Sequence, residues 1–147
     1  MPDRISATVR GDSPVVRGHV IHGRSVDGGG APLTTTDSAV VLGAGWGGTA
    51  TFAIADGSFQ TKGTITVTAS ASTPAQATAT IVLTFDPAFL LTPKAYAARN
   101  GGTGSALICP IVACTTTAMT LTACIIPVAA STYTFDWIVV PSGHPRT

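Results

Sequence analysis

Residues 77–85 read Ala77-Thr78-Ala79-Thr80-Ile81-Val82-Leu83-Thr84-Phe85, and residues 132–140 read Thr132-Tyr133-Thr134-Phe135-Asp136-Trp137-Ile138-Val139-Val140. Both alternate with a step of two, the period of a strand that buries one face. In the first, Ala77, Ala79, Ile81, Leu83 and Phe85 point one way and Thr78, Thr80, Val82 and Thr84 the other. In the second, Tyr133, Phe135, Trp137 and Val139 share the inner side, with Thr132, Thr134 and Asp136 opposite, which marks it as the central core strand.

The same period extends outward. Gly63–Thr68 sets Ile65 and Val67 against Thr64, Thr66 and Thr68, and Met119–Ile125 places Met119, Leu121, Ala123 and Ile125 on one face. Thr49–Ala55, Pro93–Ala98 and Leu107–Val112 are shorter candidates, set off by the turn-forming groups Asp56-Gly57-Ser58, Asn100-Gly101-Gly102 and Thr115-Thr116-Thr117. The expectation is an all-β fold: an antiparallel β-sandwich, jelly-roll-like, of about seven or eight strands, with no helix. Its core anchors are Trp46, Ile81, Leu83, Phe85, Leu121, Tyr133, Phe135 and Trp137.

Composition agrees. Thr (24 residues), Ala (22) and Gly (16) dominate the 147 residues and Glu is absent, a mix that favours strands and turns over long helices. Charged residues are only 10 % and hydrophobics 45 %, so the chain is no solvated disordered polymer, and some apolar surface is expected to face partners. Eight of the fifteen charges fall in the first 37 residues. That segment is broken by Gly and Pro and offers only short extended runs, so residues 1–37 read as an extended N-terminal arm and residues 38–147 as the sandwich with a short tail. The assembly residues expected on the arm are Ile5, Val9, Arg10, Val15, Val16, Arg17, Val20 and Ile21.

Several activities find little footing. With a net charge of +1 and no run of like charge, a phosphate-tracking nucleic-acid surface is not expected. The apolar stretch 106–130 is interrupted by Pro110 and Pro127 and alternates like a strand, so no membrane span is expected. The start, Met1-Pro2-Asp3-Arg4, lacks the apolar core of a secretory signal, which points to synthesis in a cytoplasm. Cys109, Cys114 and Cys124 are an odd set amid Thr, Ala and Ile, expected as reduced, packed thiols rather than metal ligands or nucleophiles.

An enzyme needs convergent polar groups, and this chain has three His, no Glu and Asp residues mostly in turns; neither catalysis nor a cofactor nor a metal is expected. His19 and His22, three apart on an extended chain, face opposite ways, and His144 lies in the tail. Gly43-Ala44-Gly45-Trp46-Gly47-Gly48 lacks the following Lys-Ser or Lys-Thr of a phosphate loop and reads as a tight turn around a packed Trp46. Arg10-Gly11-Asp12 is too short a match to carry weight. Asp136 is expected to pair with Lys94 or Arg99 or to cap a turn, and Phe52, Phe59, Phe89 and Tyr96 are the aromatics left over for a surface.

From about Val40 to Val140 the order of elements resembles the small β-sandwich head domain of bacteriophage tail fibres and other minor virion proteins. The residues that carry this are Leu42-Gly43-Ala44-Gly45-Trp46-Gly47, then Gly63–Thr68 with a small-residue loop holding Pro74, then Ala77–Phe85. Ala88-Phe89, Pro93-Lys94 and the closing Ser131–Val140 follow. The resemblance implies a homotrimer located in the virion and assembled in the host cytoplasm, with a role in adhesion, assembly or decoration. On that basis the chain is expected to be a trimeric minor tail or fibre component fixed to other virion proteins by its arm and to contact a host cell-surface glycan. A capsid decoration protein is the alternative within the structural class, and a carbohydrate-binding module the alternative outside it. Residues 1–37 show no coiled-coil or repetitive pattern of the kind that forms a fibre shaft, so a short attachment arm is expected there in place of a shaft.

Overall fold

The computed structural model describes residues 31–72, 79–104 and 110–143. Within them eight strands form: β1 (Val40–Leu42), β2 (Thr51–Ile54), β3 (Lys62–Thr68), β4 (Thr80–Thr84), β5 (Lys94–Gly101), β6 (Pro110–Cys114), β7 (Ala118–Ala123) and β8 (Thr132–Val140). All pairings are antiparallel, in two four-stranded sheets ordered β1-β4-β7-β6 and β2-β3-β8-β5. The molecule is a β-sandwich. The jelly-roll likeness holds for the strand number and the two layers; the order within each sheet is a different one, with β1 beside β4. The helical content of the described residues is a 3-10 turn at Ala44–Trp46.

The strand order carries an internal symmetry. Adding four to each strand number, counting on from β8 to β1, turns β1-β4-β7-β6 into β5-β8-β3-β2, the other sheet read from its opposite edge. Each half of the chain therefore contributes an outer pair to one sheet (β1 with β4, β5 with β8) and a hairpin to the other (β2-β3, β6-β7). The halves interlock, because each sheet is joined at its centre by a pairing between halves, β4 with β7 and β3 with β8.

The step-two pattern fills the space between the sheets. Trp46, Ile81, Leu83, Phe85, Leu121, Tyr133, Phe135 and Trp137 are all buried, together with Val40, Ile54, Ile65, Val67, Met119 and Val139. Burying such side chains stabilises the fold by roughly 1.5–3 kcal/mol each. Trp46 caps one end of this layer, its ring 5.7 Å from Tyr133 and 6.3 Å from Phe135, and its indole N–H donates to the Thr80 carbonyl at 2.9 Å. Trp137 fills the other end. It sits opposite Gly63, where a Cβ would lie only 2.7 Å from the indole, and its N–H donates to the Gln60 carbonyl at 3.1 Å.

Three details differ from the sequence pattern. Ile125, expected inward, is 38 % exposed because β7 ends at Ala123 and the chain turns away there. Residues 31–37 pack on the sandwich: Leu33 is buried in the core, its N–H donates to Ser58 O, and Thr35 O accepts from Ile54 N. Ser58, Gln60 and Thr61, within an apparent turn, are buried. The assembly residues Ile5, Val9, Arg10, Val15, Val16, Arg17, Val20 and Ile21, the three histidines, Cys109, Pro74, Ala77 and Thr78 lie outside the described residues.

Candidate attachment surface

The registers define two poles. β3 and β5 run away from the first pole, and β4 and β8 run toward it. There the described chain begins, with Ala31 O accepting from Gln60 N. There it also ends, with Ser142 Oγ donating to Thr92 O at 2.6 Å. Between these points the Gln60 side chain accepts from Asp86 N at 3.0 Å, and Thr61 O accepts from Val139 N at 2.6 Å, so the segment 58–61 ties the two sheets together at this end. The described chain thus begins and ends at one pole.

The opposite pole is made of loops rich in Gly, Ala and Thr, together with the exposed Ile125, Ile126 and Val128. It is braced from within: Tyr133 Oη accepts from Val128 N at 2.7 Å, and Arg99 lies over the Tyr133 ring at 5.2 Å while donating to the Gly101, Gly102 and Gly104 carbonyls. Thr103 and Thr132 exchange two hydrogen bonds of 3.0 Å, each backbone N–H to the other's hydroxyl. Gly102 takes a positive φ of 101°, where a side chain would also overlap the Thr132 carbonyl.

The two outer faces differ in chemistry. On the β1-β4-β7-β6 sheet, Val41, Thr80, Val82, Thr84, Ile111, Ala113, Ala118, Thr120 and Thr122 face outward, and none is charged. The β2-β3-β8-β5 face is divided. Toward the loop pole it is a threonine ladder, with Thr66 and Thr134 hydroxyls 2.9 Å apart and Thr64 donating to Asp136 Oδ1 at 2.6 Å. Asp136 is therefore held by a hydroxyl donor from β3, while Arg99 turns to the glycine carbonyls.

Toward the chain-end pole the ladder gives way to apolar side chains. Tyr96 stands beside Ile138, and Lys94 beside Val140, with Lys62 on the far side of Ile138. Tyr96 is 59 % exposed, Ile138 50 % and Val140 44 %, and in the adjoining loop Leu90 is 84 % exposed. A shallow hollow of about 290 Å³ opens between Tyr96, Ala98, Asp136 and Ile138. Of the four aromatics left over for a surface, Tyr96 alone is exposed; Phe52, Phe59 and Phe89 are half-buried, with Phe89 edge-on to Phe85 at 4.9 Å.

Among the described residues no three His, Cys, Asp or Glu side chains gather, and no helix is long and apolar enough to cross a membrane. Burial pushes the Cys114 thiol above its ordinary pKa, and Cys124 is exposed. Comparison with family models, with curated proteins and with solved structures finds no match for the chain.

Proposed function

We propose that this chain is a structural protein of a bacteriophage particle, a trimeric minor tail or fibre component held by the pole from which its ends emerge, with the loop pole turned outward. The observation that carries the reading is the polarity of the sandwich. The described chain begins and ends at one pole, beside the exposed Leu90, Leu91, Tyr96, Ile138 and Val140, while small-residue loops and the exposed Ile125, Ile126 and Val128 occupy the other. Exposed apolar side chains clustered at the end that carries a tether fit a seat on a partner. The uncharged outer face of the β1-β4-β7-β6 sheet suits close packing of sister copies, and the resemblance of the sequence to fibre head domains favours the virion setting.

The test is to purify particles produced with an epitope-tagged chain and image them with gold-labelled antibody. Label on the tail, at a few trimers per particle, is the expected outcome. Label spread over the shell would replace the tail by the capsid surface, and absence from purified particles would overturn the virion reading.

A further inference from the structure

Tyr96, Ile138 and Val140 form an exposed apolar stripe at the chain-end pole. We infer that Tyr96, Ile138 and Val140 are the seat for residues Ile5–Val9 of a neighbouring copy, so that subunits are joined by exchange of arms. The inference rests on the trimeric, arm-anchored reading above and names the surface that reading lacks.

Four observations converge. First, the stripe lies on the outer face of a sheet with neighbours at a step of two along β8, Ile138 and Val140, and with Tyr96 beside them on β5. Strand side chains on one face repeat at about 6.6–6.8 Å. Ile5-Ser6-Ala7-Thr8-Val9 has the same period, with Ile5, Ala7 and Val9 on one side and hydroxyls on the other. An apolar row of matching spacing can cover the stripe while Ser6 and Thr8 stay in water.

Second, the hollow beside Tyr96 is floored by the small Ala98, leaving about 290 Å³ for an aliphatic side chain of the incoming segment. Third, the charges match in kind. The stripe is bordered by Lys62, Lys94 and Asp136, and the run by Asp3 and Arg4 before it and Arg10 and Asp12 after it.

Fourth, the reach fits. Residues 10–30 separate the run from Ala31, which span up to about 70 Å when extended. A body of this size has a radius of gyration near 13 Å and a diameter of roughly 35 Å. Leaving from the same pole as the stripe, the arm is long enough to cross to an adjacent copy. The uncharged face belongs to the other sheet, on the opposite side of the sandwich from the stripe, and remains free for packing.

The experiment mixes full-length Val9→Cys chain, uniformly labelled with nitrogen-15, with unlabelled full-length Tyr96→Cys chain, oxidises the mixture mildly and maps disulfides by mass spectrometry, which also separates links to native cysteines. The expected result is a peptide pair joining the labelled Cys at position 9 to the unlabelled Cys at position 96. In parallel, a Tyr96→Asp, Ile138→Asp chain is expected to melt as the parent does, because both side chains are exposed, and to self-associate at least tenfold more weakly by sedimentation. No link between positions 9 and 96, such a link only within one chain in a Val9→Cys, Tyr96→Cys double variant, or unchanged association of a folded double-Asp chain would each overturn the inference. Particle incorporation is scored separately: the double-Asp chain still entering particles as trimers sinks the arm exchange and leaves the proposed function standing, whereas a parent chain absent from particles sinks that function.

Discussion

β4 and β8 occupy equivalent places in the two halves of the molecule, yet β4 has 5 residues and β8 has 9. Their outer partners differ in the same sense, 3 residues in β1 against 8 in β5. Over the shared length both central strands do one job, sending alternate large side chains into the core. The surplus in the second half is where the chemistry departs: the added residues of β8 and β5 carry Trp137 inward and Ile138, Val140, Tyr96 and Lys94 outward. One interlocked plan thus yields a compact half and an overhanging half, and the overhang bears the exposed apolar stripe.

The comparison is broken most severely through the core. Trp137→Ala is expected to cost about 3–5 kcal/mol, by opening a cavity over Gly63 and leaving the buried Gln60 carbonyl without its donor. Leu83→Ala, at the matching layer of β4, is expected to cost about 2–4 kcal/mol. Urea unfolding monitored by fluorescence for the first and circular dichroism for both measures the pair; a larger loss at Leu83 would make the compact half the mainstay.

Gly102→Ala tests the loop that closes β5 onto β8. A side chain at φ 101° beside the Thr132 carbonyl is expected to cost about 1–3 kcal/mol, visible as a lowered thermal midpoint, and a neutral result would show that the loop pole adapts freely.

The smallest effect concerns the hairpin of the second half. Because burial raises the Cys114 pKa, less of it is thiolate near neutrality, so iodoacetamide is expected to modify Cys114 several-fold more slowly than exposed Cys124. The gap should narrow as pH rises and Cys114 ionises. Peptide mapping over pH 7–9 reads both sites, and equal rates at pH 7 would mean that β6 opens readily at the sheet edge.

Much of the sandwich was legible because burial on one face imposes a period of two, and that period needs no tertiary knowledge. All eight expected anchors, from Trp46 to Trp137, lie in the core. What the pattern lacks is the end of a strand: Ile125 continues the alternation of β7 by residue type, but no partner strand extends that far, and it is left at the surface. Gln60 was hidden for another reason. It binds through a side-chain oxygen and a backbone carbonyl to residues 26 and 77 positions away, and no local pattern encodes such a join.

The attachment surface was only half readable. Tyr96 stood out as an aromatic without an inner face to fill. The gathering of Leu90, Ile138 and Val140 with both chain ends follows from the sheet order, which a periodic sequence leaves undetermined. Strand pairing between distant halves is a choice among many arrangements of equal local quality.

The crossing of the halves has a bearing on how the protein is made. When the ribosome has released β1 to β4, β3 is flanked by β2 alone and β4 by β1 alone, and their other edges await strands still to be synthesised. The centre of one sheet is completed by β7, and that of the other only by β8, the last strand among the described residues. A nascent chain of this design stays without a closed interior until β8 emerges, and until then its early strands are open to pairing with those of other chains on the same message.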